Sequence, residues 1–312
     1  MLVLDKSGSM VAEPLGMWDH DNDPNTADVT RWSSLHQVVD AVATEFEGSI
    51  NFGAQLFPGV DAIADYSEVA CVINEDIDIA VATMNRAAIL AGIPAADDIT
   101  LRGGTPITAG ITTALAHLKT LDPDVPRAIL LVTDGAANCT ADAESTALFE
   151  NYDESVHDVV GDAFTVDGIP TYVVGVGIED LTTEVKKDGN PHGVNTFTRL
   201  NELATDGGKP KTDPNEKFFN TVNQIELAAA LDEIAFDTLT CIITLDSPAF
   251  APEQTAIAID GMLIPKVADC GTENGWVYTH PDGPFDAIEL CGTACGGLKI
   301  TGEAQVTVCT PD

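Results

Sequence analysis

The chain has 312 residues, of which 45% are hydrophobic and 21% charged, a composition typical of a globular protein with a substantial core. Its 50 Asp and Glu residues outnumber 14 Lys and Arg residues, and the formal net charge of −36 makes nucleic acid and anionic membranes unfavourable partners. No apolar run approaches the roughly 18 residues that a membrane-spanning helix needs, so direct membrane insertion is not expected.

The first predicted element is a short apolar strand at positions 1–4, which runs directly into the stretch DKSGS at positions 5–9. Four residues are few for a central strand, and we therefore expect the first strand to be truncated. The polar stretch has two interpretations. Ser, Gly and Asp are common turn residues, so it could be a simple turn. Alternatively, the oxygens of Asp5, Ser7 and Ser9 emerge together at the end of a strand to hold a metal ion.

An acidic loop, WDHDNDPN, follows at positions 18–25. Asp19, Asp21 and Asp23 alternate as the first ligands of a calcium-binding loop do. The pattern then departs from such loops, because Pro24 stands where glycine is needed and Thr30 stands in place of the terminal glutamate. The loop is therefore either a second, calcium-binding site or a solvated acidic surface.

Helices and strands alternate through the next two hundred residues. Apolar residues recur at helical spacing after Thr30, a predicted N-cap, and again after Thr105-Pro106. The uninterrupted apolar runs at 128–132 and 171–176 are typical of strands covered on both faces in a parallel sheet. We predict helices at 31–47, 77–91, 106–118, 142–160 and 225–231, and strands at 50–56, 128–132, 171–176 and 217–222. This alternation predicts an open, doubly wound, mostly parallel α/β sheet flanked by helices over residues 1–236.

The pattern changes at residue 237, after which short β-prone runs follow one another and no helix is expected. The cysteines of this region are Cys241, Cys270, Cys291, Cys295 and Cys309. Such crowding predicts a small, all-β, sandwich-like and disulfide-stapled domain at 237–312. A zinc site built from four of these cysteines is the alternative, although no CxxC pair is present. We expect Cys241 to pair with Cys309 and leave the other pairings open.

Oxygen-bearing side chains of three loops would meet at one edge of the predicted sheet, where ligands of open α/β sheets bind. Asp5, Ser7 and Ser9 follow the first strand, and Asp134 follows the strand at 128–132. Thr105 lies in a Gly-Gly-Thr turn at a helix start. These hard oxygen ligands suit Mg²⁺, Mn²⁺ or Ca²⁺ rather than zinc or copper.

The motifs DKSGSM, GGTPI and an apolar strand ending in TDG, in this order, resemble a von Willebrand factor type A (VWA) domain with its metal-ion-dependent adhesion site. The resemblance covers about residues 1–236 and suggests a bacterial-type secreted or surface protein with a Cys-rich C-terminal β module. It implies that Ser7, Ser9 and Thr105 coordinate Mg²⁺, or Mn²⁺ or Ca²⁺, through their hydroxyls. Asp5 and Asp134 would act mainly through water or hydrogen bonds.

Neutral hydroxyl ligands leave the charge of a divalent cation incompletely compensated, with one coordination position open. That position favours a carboxylate from a protein partner. The expected function is therefore metal-dependent binding or adhesion, and not catalysis.

Two further cysteines, Cys71 and Cys139, would lie in loops next to the metal in such a fold, and a disulfide between them would tie down that region. Cysteine usage as a whole indicates an oxidising compartment, so we expect an extracellular or cell-surface location.

Two other functions remain open. A hydrolase could use the same ion, but two-metal hydrolysis needs bridging carboxylates, and neither a second carboxylate in these loops nor a His or Lys base accompanies them. The C-terminal β domain could instead be the recognition unit, regulated by the first domain.

Overall fold

The computed structural model describes residues 1–312 except 15, 65–66, 141–147, 183, 186–188, 246, 302–303 and 309–312, and of residues 300 and 301 it describes only the backbone. The chain splits into two compact units, Met1–Thr238 and Leu239–Asp312. Within the described part of the chain, no helix is both long enough and apolar enough to cross a membrane.

The first unit alternates strands and helices. Its strands are β1 (Leu2–Asp5), β2 (Met17–Trp18), β3 (Val29–Thr30), β4 (Phe52–Phe57), β5 (Ile79–Ala82), β6 (Ile129–Thr133), β7 (Thr171–Val176) and β8 (Phe219–Thr221). Its helices are α1 (Arg31–Phe46), α2 (Arg86–Gly92), α3 (Ile107–Leu118), α4 (Ser155–Thr165), α5 (Thr196–Asp206) and α6 (Gln224–Thr238). Short 3-10 turns lie at Gly8–Met10 and Glu68–Cys71.

Six of these strands form one sheet in the order β5-β4-β1-β6-β7-β8. All neighbours pair in parallel except β5, which runs antiparallel to β4 at the edge. Every residue of β1, β4, β6 and β7 is buried, as expected for strands covered on both faces.

Helices cover both faces of this sheet. Val3, Leu131 and Val173 share one hydrophobic cluster with residues of α3, α4 and α5. Successive strand residues point to opposite faces, so their neighbours Leu4, Val132 and Val174 face the other side. There α1 packs against α2 and α6, and α2 and α6 contact β4 and β7. The predicted doubly wound, mostly parallel α/β fold is confirmed.

The helices form where apolar spacing and caps predict them. Thr30 caps α1, its hydroxyl accepting a 3.0 Å hydrogen bond from the Ser33 N–H, and Leu35, Val38 and Val42 are buried along the inner face. In α3 the buried positions Ile107, Ile111, Leu115 and Leu118 are those of the predicted apolar stripe.

Two predicted helices differ in the structure. Residues 77–91 do not form one helix but the edge strand β5 followed by α2, with Met84 at φ 49° in the turn between them. The helix expected at 142–160 starts only at Ser155 and continues to Thr165. Part of the predicted range, 141–147, lies outside the described residues.

The second unit contains β9 (Ile242–Thr244), β10 (Ala256–Ile259), β11 (Met262–Ile264), β12 (Gly275–Tyr278), β13 (Ala287–Cys291), α7 (Thr293–Thr301) and β14 (Gln305–Thr307). Two antiparallel sheets have the orders β11-β10-β14 and β12-β13-β9. Ile257 and Ile259 of one sheet and Trp276 and Ile288 of the other belong to the same buried cluster. The sandwich-like module is therefore present, but it also contains the unpredicted helix α7.

Disulfides staple this unit with a connectivity that corrects our prediction. Cys241 pairs with Cys295, and Cys270 pairs with Cys291. The predicted Cys241–Cys309 bridge is wrong, because Cys295 at the start of α7 takes the Cys241 sulfur. Cys309 itself lies outside the described residues. A zinc site built from Cys270, Cys291, Cys295 and Cys309 is also excluded, since three of these sulfurs are in disulfides.

Candidate metal centre

Asp5 and Asp134 come together because β1 and β6 are parallel neighbours in the middle of the sheet. Leu4 pairs with Val132 in the register, so both strands end at the same edge, and each is followed by an aspartate or ends in one. This is the edge at which open α/β sheets bind their ligands. We call Asp5, Ser7, Ser9 and Asp134 the buried centre.

The carboxylate of Asp5 links the two strands. One oxygen accepts the Ser7 N–H at 2.8 Å, and the other accepts the Thr133 hydroxyl at 2.7 Å. Asp5 is 0% exposed. Burial, with an added contribution from the negative charge of Asp134, raises the pKa of Asp5 from 3.8 to about 7.

A chain of short contacts joins both serines to Asp134. The Ser7 and Ser9 hydroxyl oxygens are 2.9 Å apart, and the Ser9 hydroxyl donates to Asp134 Oδ1 at 2.7 Å. The Asp134 side chain is also 0% exposed, and burial raises its pKa despite the nearby Arg31. The structure therefore gathers two hydroxyls and two desolvated carboxylates at one point.

Thr105 lies in the next loop and is held by the segment that follows β6. Its N–H donates to Asn138 Oδ1 at 2.7 Å, and its carbonyl accepts the Asn138 N–H at 3.0 Å. The Thr105 hydroxyl oxygen lies 3.6 Å from the point where a β-carbon on Gly135 would stand. Thr105 is thus placed beside the residue after Asp134, but no described hydrogen bond joins its hydroxyl to Ser7 or Ser9.

The loop that carries Thr105 lies close to the serine loop because of its two glycines. Gly103 adopts φ +104°, which favours glycine, and its carbonyl accepts the Gly8 N–H at 3.4 Å. A β-carbon on Gly104 would lie 2.7 Å from the sulfur of Cys139. The two glycines therefore let this loop reach the serine loop on one side and pack on the disulfide on the other.

Cys71 and Cys139 form a disulfide with a Cα–Cα distance of 5.7 Å, as we expected. It joins the 3-10 turn Glu68–Cys71 to the loop after β6, and the Ala70 carbonyl accepts the Gly104 N–H at 2.9 Å. The bridge therefore ties the loop that carries Asp134 to a turn that is itself hydrogen-bonded to the Gly103-Gly104-Thr105 loop.

The donor set fits a hard divalent cation. Hydroxyl and carboxylate oxygens are the ligands that Mg²⁺, Mn²⁺ and Ca²⁺ take, and a cation would stabilise the ionised form of both buried carboxylates. Ser7, Ser9 and Thr105 are the candidate hydroxyl ligands. Asp5 and Asp134 each already accept hydrogen bonds that orient them.

The predicted calcium site lies at the surface, and we call Asp19, Asp21 and Asp23 the acidic loop. Ligand atoms of Asp19, His20 and Asp21 lie within 4.8 Å of one another, whereas Asp23 is not in that cluster. Asp19 Oδ1 accepts the Asn22 N–H at 2.8 Å, and Asp21 Oδ1 accepts the Thr26 hydroxyl at 2.7 Å. The carboxylates thus bind the loop's own donors, and the Thr26 hydroxyl is the main cause of a lowered pKa of Asp21.

Sequence reasoning missed Arg31, the first residue of α1. Its Nη1 donates to Asp134 Oδ2 at 2.9 Å in an ion pair whose side chains are 17% and 0% exposed. It also missed the roles of Thr133 and Asn138. Thr133 is part of the TDG motif and could have been included from it, whereas no local pattern marks Arg31 or Asn138.

The chain matches no protein-family model, and no curated protein matches it. Solved structures are similar in fold at low identity. They include BatB, a conserved hypothetical protein from Bacteroides thetaiotaomicron, with 18% identity over 75% of this chain and 97% of that chain at a TM-score of 0.44. The pilus adhesin SpaC from Lactobacillus rhamnosus GG has 13% identity, covering 94% of this chain and 38% of that one, with a TM-score of 0.49. A von Willebrand factor type A structure from Catenulispora acidiphila has 13% identity, covering 93% and 57%, with a TM-score of 0.43.

This chain therefore spans less than two thirds of both the SpaC and the Catenulispora chains. Since all three identities are below 25%, the VWA family suggested by the motifs stays a resemblance.

Proposed function

We propose that the first unit is a VWA-type binding module that captures a carboxylate of a protein partner through a divalent cation at the buried centre. The observation that carries the proposal is the hydrogen-bonded chain from Ser7 through Ser9 to Asp134, next to the buried carboxylate of Asp5. These hydrogen-bonded side chains supply oxygen ligands of the kind that Mg²⁺ prefers.

The cation would be held by Ser7, Ser9 and Thr105, with Asp5 and Asp134 orienting the loops and hydroxyls. Asp134 would do so directly, because its Oδ1 accepts the hydrogen bond of the Ser9 hydroxyl at 2.7 Å and leaves the lone pairs of Ser9 available to a cation. Groups that orient metal ligands in this way typically change metal affinity by about 10–100-fold.

A carboxylate is the favoured ligand for the open position, because hydroxyls neutralise none of the ion's charge. The partner is a protein that presents an acidic side chain, and nucleic acid is not a partner of a chain with a formal charge of −36. We propose a binding role without catalysis.

The proposal includes an extracellular or cell-surface location. It is supported by the disulfides Cys71–Cys139, Cys241–Cys295 and Cys270–Cys291, since such bridges persist in oxidising compartments. We also propose that the acidic loop binds Ca²⁺. Such an ion, close to the principal site, would influence which partner binds there.

Calorimetric titration of Mg²⁺, Mn²⁺ and Ca²⁺ into chelator-treated protein tests the centre. Physiological salt suppresses loose binding to the acidic surface. We expect stoichiometric binding that Ser9→Ala weakens by about 10–100-fold. Thr44→Ala on the exposed side of α1 is the matched hydroxyl control and should bind like the wild type.

Equal affinity in Ser9→Ala and wild type would refute the site. Hydrolysis of a generic phosphate or carboxylic ester by the metal-loaded protein, lost in Ser9→Ala, would favour the hydrolase instead. Metal-independent partner binding by the second unit would favour recognition by the β module.

A further inference from the structure

Arg31 places a fixed positive charge on the buried centre. It is the first residue of α1, and its backbone N–H donates to the Gly16 carbonyl at 2.8 Å. This hydrogen bond fixes the backbone from which the side chain extends. Its Nη1 contacts Asp134 Oδ2 at 2.9 Å, while the Ser9 hydroxyl holds Oδ1 of the same carboxylate. One carboxylate thus lies between the guanidinium and the serine pair.

The backbone makes room for this guanidinium. Gly177, directly after β7, adopts φ +66°, and a β-carbon there would lie 2.6 Å from Arg31 Nη2 and 3.2 Å from Nε. Any larger residue at this position would push the guanidinium away from its present place. The position of Arg31 therefore depends on a second, independent feature of the chain.

Among the described residues, Asp134 is the carboxylate with which Arg31 pairs. Its Nε is buried and has no hydrogen-bond partner among the described residues, and its ion pair with Asp134 is formed by Nη1. Lys6, the buried basic residue that follows Asp5, makes no ion pair with Asp5 within the described structure. Arg31 is thus the basic side chain in direct contact with a carboxylate of the centre.

The charges give Arg31 opposite effects in the two states of the centre. Without a metal, Asp5 and Asp134 place two ionisable carboxylates in a desolvated region, and Arg31 compensates one of them. With a divalent cation present, the same guanidinium repels the ion and leaves the ionised centre with a net charge of about +1. A net positive centre attracts an incoming anion more strongly.

We propose that Arg31 is a resident counter-cation of this centre: it stabilises Asp134 when no metal is bound, weakens divalent-cation binding, and leaves the loaded centre net positive toward a carboxylate. This inference rests on the proposed function and assigns to Arg31 a positioning and affinity-setting role within it.

The test compares Mg²⁺ affinity and thermal unfolding in wild type, Arg31→Gln and Arg31→Lys. Arg31→Gln should bind Mg²⁺ about tenfold more tightly, because a nearby positive charge is removed. It should also lower the Tm in chelator more than the Tm in saturating Mg²⁺, since the cation replaces the lost charge. Arg31→Lys retains the charge and should stay within about twofold of the wild-type affinity.

Arg86→Gln is the matched control, because Arg86 forms an ion pair with Asp40 at 2.5 Å on the exposed surface. It should change neither Mg²⁺ affinity nor the difference between the two Tm values. If Arg31→Gln does not fold, Gly177→Ala displaces the guanidinium without removing it and should tighten Mg²⁺ binding by about threefold.

The outcomes separate the two proposals. No stoichiometric Mg²⁺ binding in the wild type would overturn the proposed function and this inference together. Wild-type binding with unchanged or weaker affinity in Arg31→Gln, or in Gly177→Ala, would overturn only the role of Arg31. Equal losses of Tm with and without Mg²⁺ would show that Arg31 is merely a structural partner of Asp134.

Discussion

The first unit holds two groups of aspartates in opposite environments. In the buried centre, Asp5 and Asp134 are desolvated and accept hydrogen bonds from the hydroxyls of Thr133 and Ser9. Burial raises the pKa of both carboxyls. In the acidic loop, Asp21 lies at the surface, binds its own loop, and has a lowered pKa. Aspartate is therefore desolvated, with its ionised form disfavoured, in the buried centre, whereas its ionised form is favoured in the acidic loop.

This difference indicates where a cation would matter for folding. A cation at the buried centre would offset charge that the fold has removed from water, so its binding should be coupled to stability. A cation at the acidic loop would compete with solvent and with hydrogen bonds that already satisfy the carboxylates. Oxygen-bearing side chains alternate in the sequence at both places, at positions 5–9 and 19–23, and burial distinguishes them.

Asp134→Ala should have the largest effect. It leaves Arg31 without its ion-pair partner and removes the acceptor of the Ser9 hydroxyl, so we expect a loss of about 5 kcal/mol in the free energy of unfolding. Urea denaturation in chelator measures it, with Asp21→Ala as the surface counterpart. A loss below about 1 kcal/mol would contradict a desolvated pair at this position.

The pH dependence of stability should show the next effect. The folded protein retains the Asp5 proton up to a pKa of about 7, whereas the ordinary pKa is 3.8, so the stability of the metal-free protein should fall as pH rises between these values. The expected fall is roughly 4 kcal/mol, at about 1.4 kcal/mol for each pH unit. Asp134, Arg31 and Lys6 face the same region, so the difference between wild type and Asp5→Asn isolates Asp5.

Asp5→Asn should not lose stability as pH rises through this range. Saturating Mg²⁺ should reduce the loss in the wild type, because the cation favours the ionised carboxylate. Parallel stability curves for wild type and Asp5→Asn from pH 4 to pH 7 would show that Asp5 titrates normally.

Replacing Cys71 and Cys139 together by Ser should cost about 4 kcal/mol, because the bridge closes a loop of 68 residues. Since the bridge ties the loop that carries Asp134 to the turn that holds Gly104, the double variant should also bind Mg²⁺ more weakly, whereas the acidic loop should be unaffected. Urea denaturation and calorimetry measure both effects. Full Mg²⁺ affinity in a destabilised variant would limit the bridge to a structural role.

Asp21→Asn should have the smallest effect, within about 0.5 kcal/mol of the wild-type stability, as for most surface substitutions. If the acidic loop binds Ca²⁺, this variant should weaken a second Ca²⁺-binding event and leave Mg²⁺ binding at the buried centre unchanged. Terbium luminescence excited through the nearby Trp18 follows the loop. A change in Mg²⁺ affinity would show that the two groups of aspartates are coupled.

Much of the buried centre could be predicted because its residues follow apolar runs, at 1–4 and 128–132, that are typical of strands. The run at 128–132 predicts a strand covered on both faces, and parallel pairing with β1 brings Asp5 and Asp134 to the same edge of the sheet. Arg31 could not be predicted in this way, because 103 positions separate it from Asp134 and no pattern near it specifies its partner.

The wrong predictions have physical causes of the same kind. The short apolar stretch at 79–82 fits an edge strand or a helix equally well, and pairing with β4 decides for the strand. Helix α7 contains Gly296 and Gly297, which disfavour helices. Packing of Ala294 and Leu298 on the core of the second unit overrides that local preference.

The hydrogen bonds of Asp5 have a mechanical consequence for the binding role that we propose. A pull on a carboxylate held at this centre would enter the chain at the ends of β1 and β6 together, through the Asp5–Thr133 contact. Because β1 is paired in parallel on both sides, with β4 and with β6, such a load would act as shear across two ladders at once. The bonds would then have to break together rather than unzip one at a time, which makes the middle of the sheet the natural anchor for a tether under tension.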